Sequence, residues 1–178
     1  MKILKLLVFA MVALVGVARA ENLTVYFTQS GNTERLATAI YENVGGDIAR
    51  ILPVVDYPES YDEKVEVAKR EKEENARPEY QALGVDVADY DTIFLGYPNW
   101  WGHMPMIVYT FLENNDFAGK TIVPFVTYES SGVGDSISEI KRLAPDAIVM
   151  DGFSMRGLET LKDYSENVQE WLKKIGKL

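Results

Sequence analysis

The chain has 178 residues, 47% of them apolar, no cysteine, and a formal net charge of −9. The lack of cysteine excludes disulfides, thiolate catalysis and a lipid-attachment thiol, so stability must come from the core alone. The acidic balance makes nucleic acid and anionic membrane surfaces poor partners.

Residues 1–20 read as an export signal. Lys2 and Lys5 precede the apolar run Leu6 to Val17, and Ala18-Arg19-Ala20 offers small residues at alternate positions to a signal peptidase. Cleavage after Ala20 takes the charge from −9 to −12, because the segment holds three basic and no acidic side chains. The run is short for a membrane span and no basic stop-transfer cluster follows it. The expectation is an exported protein, periplasmic or extracellular, with no membrane insertion after cleavage. Residues 21–178 then form one ordinary domain.

Leu23 to Thr28 is the first predicted strand, ending at the turn-forming Gln29-Ser30-Gly31-Asn32. Thr33 to Val44 carries Leu36, Ala37, Ile40, Tyr41 and Val44 on one helical stripe and stops at Gly45-Gly46. Asp47 to Val55 is a weaker strand, and the Glu-Lys alternation of Tyr61 to Asn75 reads as a solvated helix face. Thr92 to Tyr97 is the third strand, followed by a helix with Pro105 at its first position. Thr121 to Tyr128 is the fourth, where Pro124 is tolerated only if its missing N–H falls at a bulge or an unpaired position.

Ser136-x-x-Glu139 predicts a capping box, in a helix ending at Ala144-Pro145. Ala147 to Met150 is the fifth strand. The last helix places Leu161, Tyr164, Val168, Trp171, Leu172 and Ile175 on one face. Strand and helix alternating in this way predict an α/β fold, a parallel sheet covered by helices on both faces.

Ligands of such sheets bind outside the carboxyl ends of the strands, where strand order reverses, so the loops after strands one, three and four carry the chemistry. In Thr28-Gln29-Ser30-Gly31-Asn32-Thr33, hydroxyls and backbone N–H groups at a helix start can surround a phosphate; the alternative is a plain capping turn. The loop has no lysine, which separates it from a Walker loop. Pro98-Asn99-Trp100-Trp101-Gly102-His103 holds two adjacent indoles that cannot both face a sheet interior, so one is exposed or covers a flat aromatic ligand. His103, the sole histidine, has no neighbouring ligands to make a metal site. Thr127-Tyr128-Glu129-Ser130, with Gly132 and Gly134 beyond, pairs an aromatic with a segment whose backbone can turn toward a ligand. A hydrolase reading built on Ser30 or Ser130 with His103 lacks a Gly-x-Ser-x-Gly elbow.

Together the three loops resemble those of the flavodoxin family. Thr28 to Thr33 is similar to its Thr-x-Ser-Gly-Asn-Thr phosphate loop, and Gly96 to Gly102 to the branch with a Tyr-Pro-x-Trp-Trp-Gly loop. The resemblance extends over essentially all of residues 21–178. It implies a flavodoxin-like three-layer sandwich, with a five-stranded parallel sheet in the order 2-1-3-4-5. It also implies FMN bound without covalent attachment, its phosphate on Ser30 to Thr33 and its ring beside Trp100 or Trp101. Asn99 and Gly102 would lie near the ring's polar edge, with Tyr128 to Gly134 closing the other side. Tyr128-Glu129 departs from the smaller or more neutral pair expected in that branch.

The implied function is electron transfer in the cell envelope, to redox partner proteins or a small-molecule acceptor, by a monomer or weak homodimer. An acidic surround disfavours further negative charge on a reduced flavin and so implies a low-potential carrier. Two readings stand beside it: a small FMN-dependent NAD(P)H or quinone-type oxidoreductase, and a flavin-free binding module on the same fold. The signal lacks the twin arginines that carry prefolded proteins, so FMN would be acquired outside the cytoplasm.

Overall fold

β1 (Asn22–Tyr26), α1 (Asn32–Val44), β2 (Asp47–Arg50), α2 (Tyr61–Glu73) and β3 (Thr92–Pro98) form the first half of the chain. α3 (Met106–Asn114), β4 (Thr121–Tyr128), α4 (Ser136–Leu143), β5 (Ile148–Val149), β6 (Phe153–Arg156) and α5 (Ser165–Lys174) complete it. This is a computed structural model that describes residues 21–130 and 132–178. The expected export signal, residues 1–20, lies outside the described residues.

The sheet runs β2-β1-β3-β4-β5, the order expected for the flavodoxin-like fold, and each pairing is parallel. Side chains alternate across its two faces, as the strand period of two requires. Leu23 and Val25 of β1, Ile93, Leu95 and Tyr97 of β3, and Ile122 and Val126 of β4 share one apolar core with Ile107, Phe111 and Ile140 from α3 and α4. Tyr26, Phe94, Val123 and Phe125 point the other way, onto Leu36, Ala37 and Ile40 of α1 and Val168, Trp171 and Leu172 of α5. Burial on both faces explains the near-continuous apolar strands, and the three layers follow from it.

The fifth position is a correction to the predicted single strand. It is filled by two short pieces, β5 along Thr121 and Ile122 and β6 along Phe125 to Tyr128. Pro124 explains the gap. The Ile122 carbonyl accepts from Met150 N at 2.9 Å, so Ile122 faces this edge, and Pro124, two residues on, faces it too, where it has no N–H to donate. Met150 to Gly152 cross the gap, and a side chain at Gly152 would meet the Pro124 carbonyl at 2.9 Å.

Four local expectations also shift. β2 ends at Arg50 rather than Val55; beyond it, Pro53 bridges Tyr80 in antiparallel fashion. Pro105 is the residue before α3 rather than its first: its carbonyl accepts from Val108 N at 2.9 Å while its own ψ is extended at 142°. The Ser136/Glu139 capping box does not form. Ser136 is buried and its hydroxyl donates to the Val133 carbonyl at 2.6 Å, while Glu139 accepts from Arg142 at 2.7 Å. Leu161 belongs to a short 3-10 turn, Gly157–Leu161, and is exposed, so the buried stripe of the last helix starts only at Tyr164 and Val168.

At the centre of the sheet, Gly96 of β3 lies directly under the Phe125 ring, and an added Cβ would come within 2.2 Å of it. Gly96→Ala is therefore expected to overpack this layer and lower the unfolding free energy by about 2 kcal/mol. A urea denaturation midpoint read against the wild type checks it.

Candidate ligand cleft at the carboxyl ends of the strands

Because β1 sits between β2 and β3, the chain leaves β1 and β3 toward opposite faces, and the loops that follow diverge. Between them lies a cleft of about 490 Å³, within the usual range of small-ligand sites.

The first loop turns sharply at Gly31, whose φ of 81° is left-handed and whose N–H donates to the Thr28 hydroxyl at 3.0 Å. Thr28 and Thr33 are both buried, and the Thr33 and Thr127 hydroxyls meet at 2.8 Å, joining this loop to the end of β4. Thr28, Gly31 and Thr33 thus frame the loop, while Gln29, Ser30 and Asn32 line the cleft. The start of α1 has no side-chain cap, so its first-turn amides are left for an anion, and Ser30 is exposed beside them. Two cations stand behind the loop: Arg35 donates to Asn32 Oδ1 at 2.9 Å and Arg50 to the Thr28 carbonyl at 3.3 Å.

The second loop is a tight reversal in which Trp100 and His103 exchange backbone hydrogen bonds of 2.9 and 3.1 Å. Its two central residues, Trp101 and Gly102, have φ of 55° and 84°, the positive values that a two-residue hairpin turn demands. Trp101 carries a side chain in this strained region, and Lys72 of α2 donates to its carbonyl at 2.8 Å. The two indoles divide the work. Trp100 packs edge-on against Phe27 and Tyr57, with ring centroids 5.4 and 5.3 Å away, whereas Trp101 is 51% exposed at the mouth. Tyr57 in turn donates to Glu71 at 2.9 Å; burial first, and then this carboxylate, push the phenol pKa well above its ordinary value.

The second and third loops are joined through their backbones. Asn99 N donates to the Thr127 carbonyl at 2.7 Å, the Asn99 amide reaches the Gly132 carbonyl, and Asp135 N donates to the Gly102 carbonyl at 2.9 Å. Gly134 lies so near Gly102 that an added Cβ would come within 2.0 Å of its carbonyl oxygen. Gly102, Gly132 and Gly134 therefore hold the two loops together rather than line the cleft. Pro98, Asn99, Trp100 and Trp101 from one side and Thr127, Tyr128, Glu129 and Ser130 from the other do line it.

His103 is also turned away from the cleft. It is 7% exposed, its Nδ1 lies on the Met104 carbonyl, and its Nε2 has no partner among the described residues. Burial lowers its pKa most, the Met104 carbonyl opposes that, and Lys72 adds a smaller lowering.

Sequence reasoning missed one wall. Tyr61, Lys64, Val65 and Ala68 of α2 face the cleft, and Gly157 closes it from beyond β6. The α2 residues recur at i, i+3, i+4 and i+7, a readable stripe hidden among the Glu-Lys pairs.

An open parallel sheet with an uncapped helix start and an aromatic wall at its switch point defines a doubly wound α/β protein with a cleft where the strand order reverses. The flavodoxin family model matches residues 21–175, and the chain belongs to that family. A candidate flavoprotein from Bacteroides eggerthii is 30% identical, with 89% of this chain and 99% of that one covered at a TM-score of 0.77. Another from Bacteroides uniformis is 32% identical over 86% and 98% of the two chains, at 0.76. A flavoprotein from Lactobacillus acidophilus, solved in complex with FMN, shares the fold at 22% identity and a TM-score of 0.66, covering 86% and 99%. No curated protein matches the sequence.

Two outcomes are expected. Trp100→Ala should lower the unfolding free energy by about 2 kcal/mol through the lost aromatic packing. Trp101→Ala should change it by no more than about 0.5 kcal/mol; urea titration of both variants compares them. Burial lowers the His103 pKa in the folded chain, while the unfolded chain takes up a proton there near pH 6.5. Stability should therefore decline as pH falls below about 6.5, and His103→Gln should flatten the decline between about pH 6.5 and 5, before carboxylates titrate. Thermal midpoints across that range read it.

Proposed function

We propose that the cleft binds FMN without covalent attachment and that the protein carries electrons through it in the cell envelope. The observation that carries this reading is the uncapped start of α1 opening into an aromatic-walled cleft at the reversal of strand order. The residues present fit such a cofactor. Ser30 and the first-turn amides of α1 offer neutral donors for a phosphate, and Gly31 keeps that approach clear. Trp100 presents a wall already fixed by Phe27 and Tyr57, and Trp101 offers a second, movable face. When bound, FMN supplies the redox chemistry; the chain supplies position, stacking and electrostatics.

The FMN complex of the Lactobacillus acidophilus protein, which shares the fold, supports the choice of cofactor. Exposure of Trp101 and Tyr61, both lining the cleft, leaves an edge of it open to an electron partner, a redox protein or a small acceptor. The envelope location rests on the signal-like residues 1–20.

The test is a fluorescence and absorption titration of residues 21–178 with FMN, using riboflavin as the phosphate-free control. Tight FMN binding with quenched emission is expected, and Ser30→Ala should weaken FMN by about tenfold while sparing riboflavin. Binding of neither flavin would leave family membership standing and move the function to a flavin-free binding module.

A further inference from the structure

Among the described residues, Glu129 is the sole carboxylate lining the cleft and Lys64 the sole cation. The sequence already sets Glu129 apart from the neutral residue expected at this position, and the structure shows where its charge lies. A Cβ placed on Gly157 would meet Asn32 Nδ2 at 2.5 Å and Glu129 Oε1 at 2.6 Å, so both groups crowd the same point. Asn32 is the first residue of α1, and its Oδ1 is engaged by Arg35 at 2.9 Å and by Thr160 at 3.4 Å. Its Nδ2 faces the same point above Gly157 as the carboxylate. Arg156 Nε donates to the Glu129 carbonyl at 3.2 Å, which secures the backbone but not the charge. Glu129 takes part in none of the three ion pairs among the described residues.

The carboxylate thus stands at the end of the cleft where α1 begins, the place that would receive a phosphate. Two anions there repel each other, and the first loop has no lysine to offset them. Arg35 and Arg50 stand behind the first loop, Arg156 lies on β6 and Lys64 faces from α2, while Glu34 of the first turn is paired with Arg50 at 4.0 Å. A flavin without phosphate meets none of this repulsion.

We infer that Glu129 is a specificity-determining residue: beside Asn32, it lowers the preference of the cleft for a phosphorylated flavin over its phosphate-free form. The inference rests on the flavin-binding reading above. It makes FMN binding weaker than the same cleft would give without this charge, and salt-dependent, so that raising the ionic strength screens the repulsion and tightens FMN alone.

The test measures dissociation constants for FMN and riboflavin, by quenching of flavin fluorescence at low ionic strength, on residues 21–178 as wild type, Glu129→Gln and Glu129→Asp. Glu129→Gln is expected to tighten FMN about fivefold and leave riboflavin unchanged. Glu129→Asp, which keeps the charge, should stay with the wild type, and added salt should narrow the gap between wild type and Glu129→Gln. Wild-type binding of both flavins with an FMN-to-riboflavin ratio that Glu129→Gln does not move overturns this inference alone. An equal change for both flavins also overturns it, since it marks a steric role. Binding of neither flavin by any of the three overturns the flavin reading together with the inference.

Discussion

The buried contact between the Thr33 and Thr127 hydroxyls, 2.8 Å apart, is the constraint on which the cleft depends. It joins the first turn of α1 to the last residues of β4, across the top of β3. With α1 held there, its amides open toward the cleft instead of being capped by the preceding loop. The Thr28 hydroxyl, which could have served as a cap, is occupied by the Gly31 N–H. The neighbouring hydroxyls thus serve the loop's own geometry and leave Ser30 and the backbone free. Two hydroxyls satisfying each other in the interior also avoid the cost of a buried unpaired polar group.

From that point the second and third loops are built by backbone bonding rather than by side-chain identity. Asn99 is the exception. Its amide bonds the Gly132 carbonyl while its Oδ1 accepts the Gly102 N–H at 3.0 Å, so one side chain spans both loops. Lys72 then ties Trp101 to α2, and Tyr57 ties the aromatic trio to the same helix through Glu71. α2 is therefore part of the cleft in two senses, as a wall and as the anchor for the loop opposite.

Much of this was legible in the sequence, and the exceptions have physical causes. The apolar strands and Gly45-Gly46 marked the element order, because strands buried on both faces admit almost no polar residue. The split fifth position was foreshadowed by Pro124, but Phe153 to Arg156, although it alternates apolar and polar, is only four residues long and partly exposed, too short a pattern to mark β6. Ser136-x-x-Glu139 has the letters of a capping box, yet burial gave Ser136 a nearer acceptor in Val133. Of the loop residues singled out, those with side chains directed at the cleft and those that merely shape it share one composition, since small polar residues and glycines serve both ends. Only the hydrogen bonds of Thr28, Thr33 and Gly134's neighbours distinguish them. The α2 wall was obscured because its apolar members Tyr61, Val65 and Ala68 are interspersed with the charged Asp62, Glu63, Lys64 and Glu66.

A chain at −12 beyond its expected signal does not attract an anion through its net charge, so affinity for the flavin proposed above would come from preorganisation. The aromatic trio supplies it. Trp100 stands edge-on to Phe27 and Tyr57, which are tilted against each other, at centroid distances of 5.3 to 5.7 Å, an arrangement that aromatic quadrupoles favour. A wall already in place costs little conformational entropy when a ring settles against it. Trp101, half-exposed on a strained turn, remains the adjustable partner. The division between a packed indole and a half-exposed one leaves a single aromatic residue of the cleft free to adjust to the flavin proposed above.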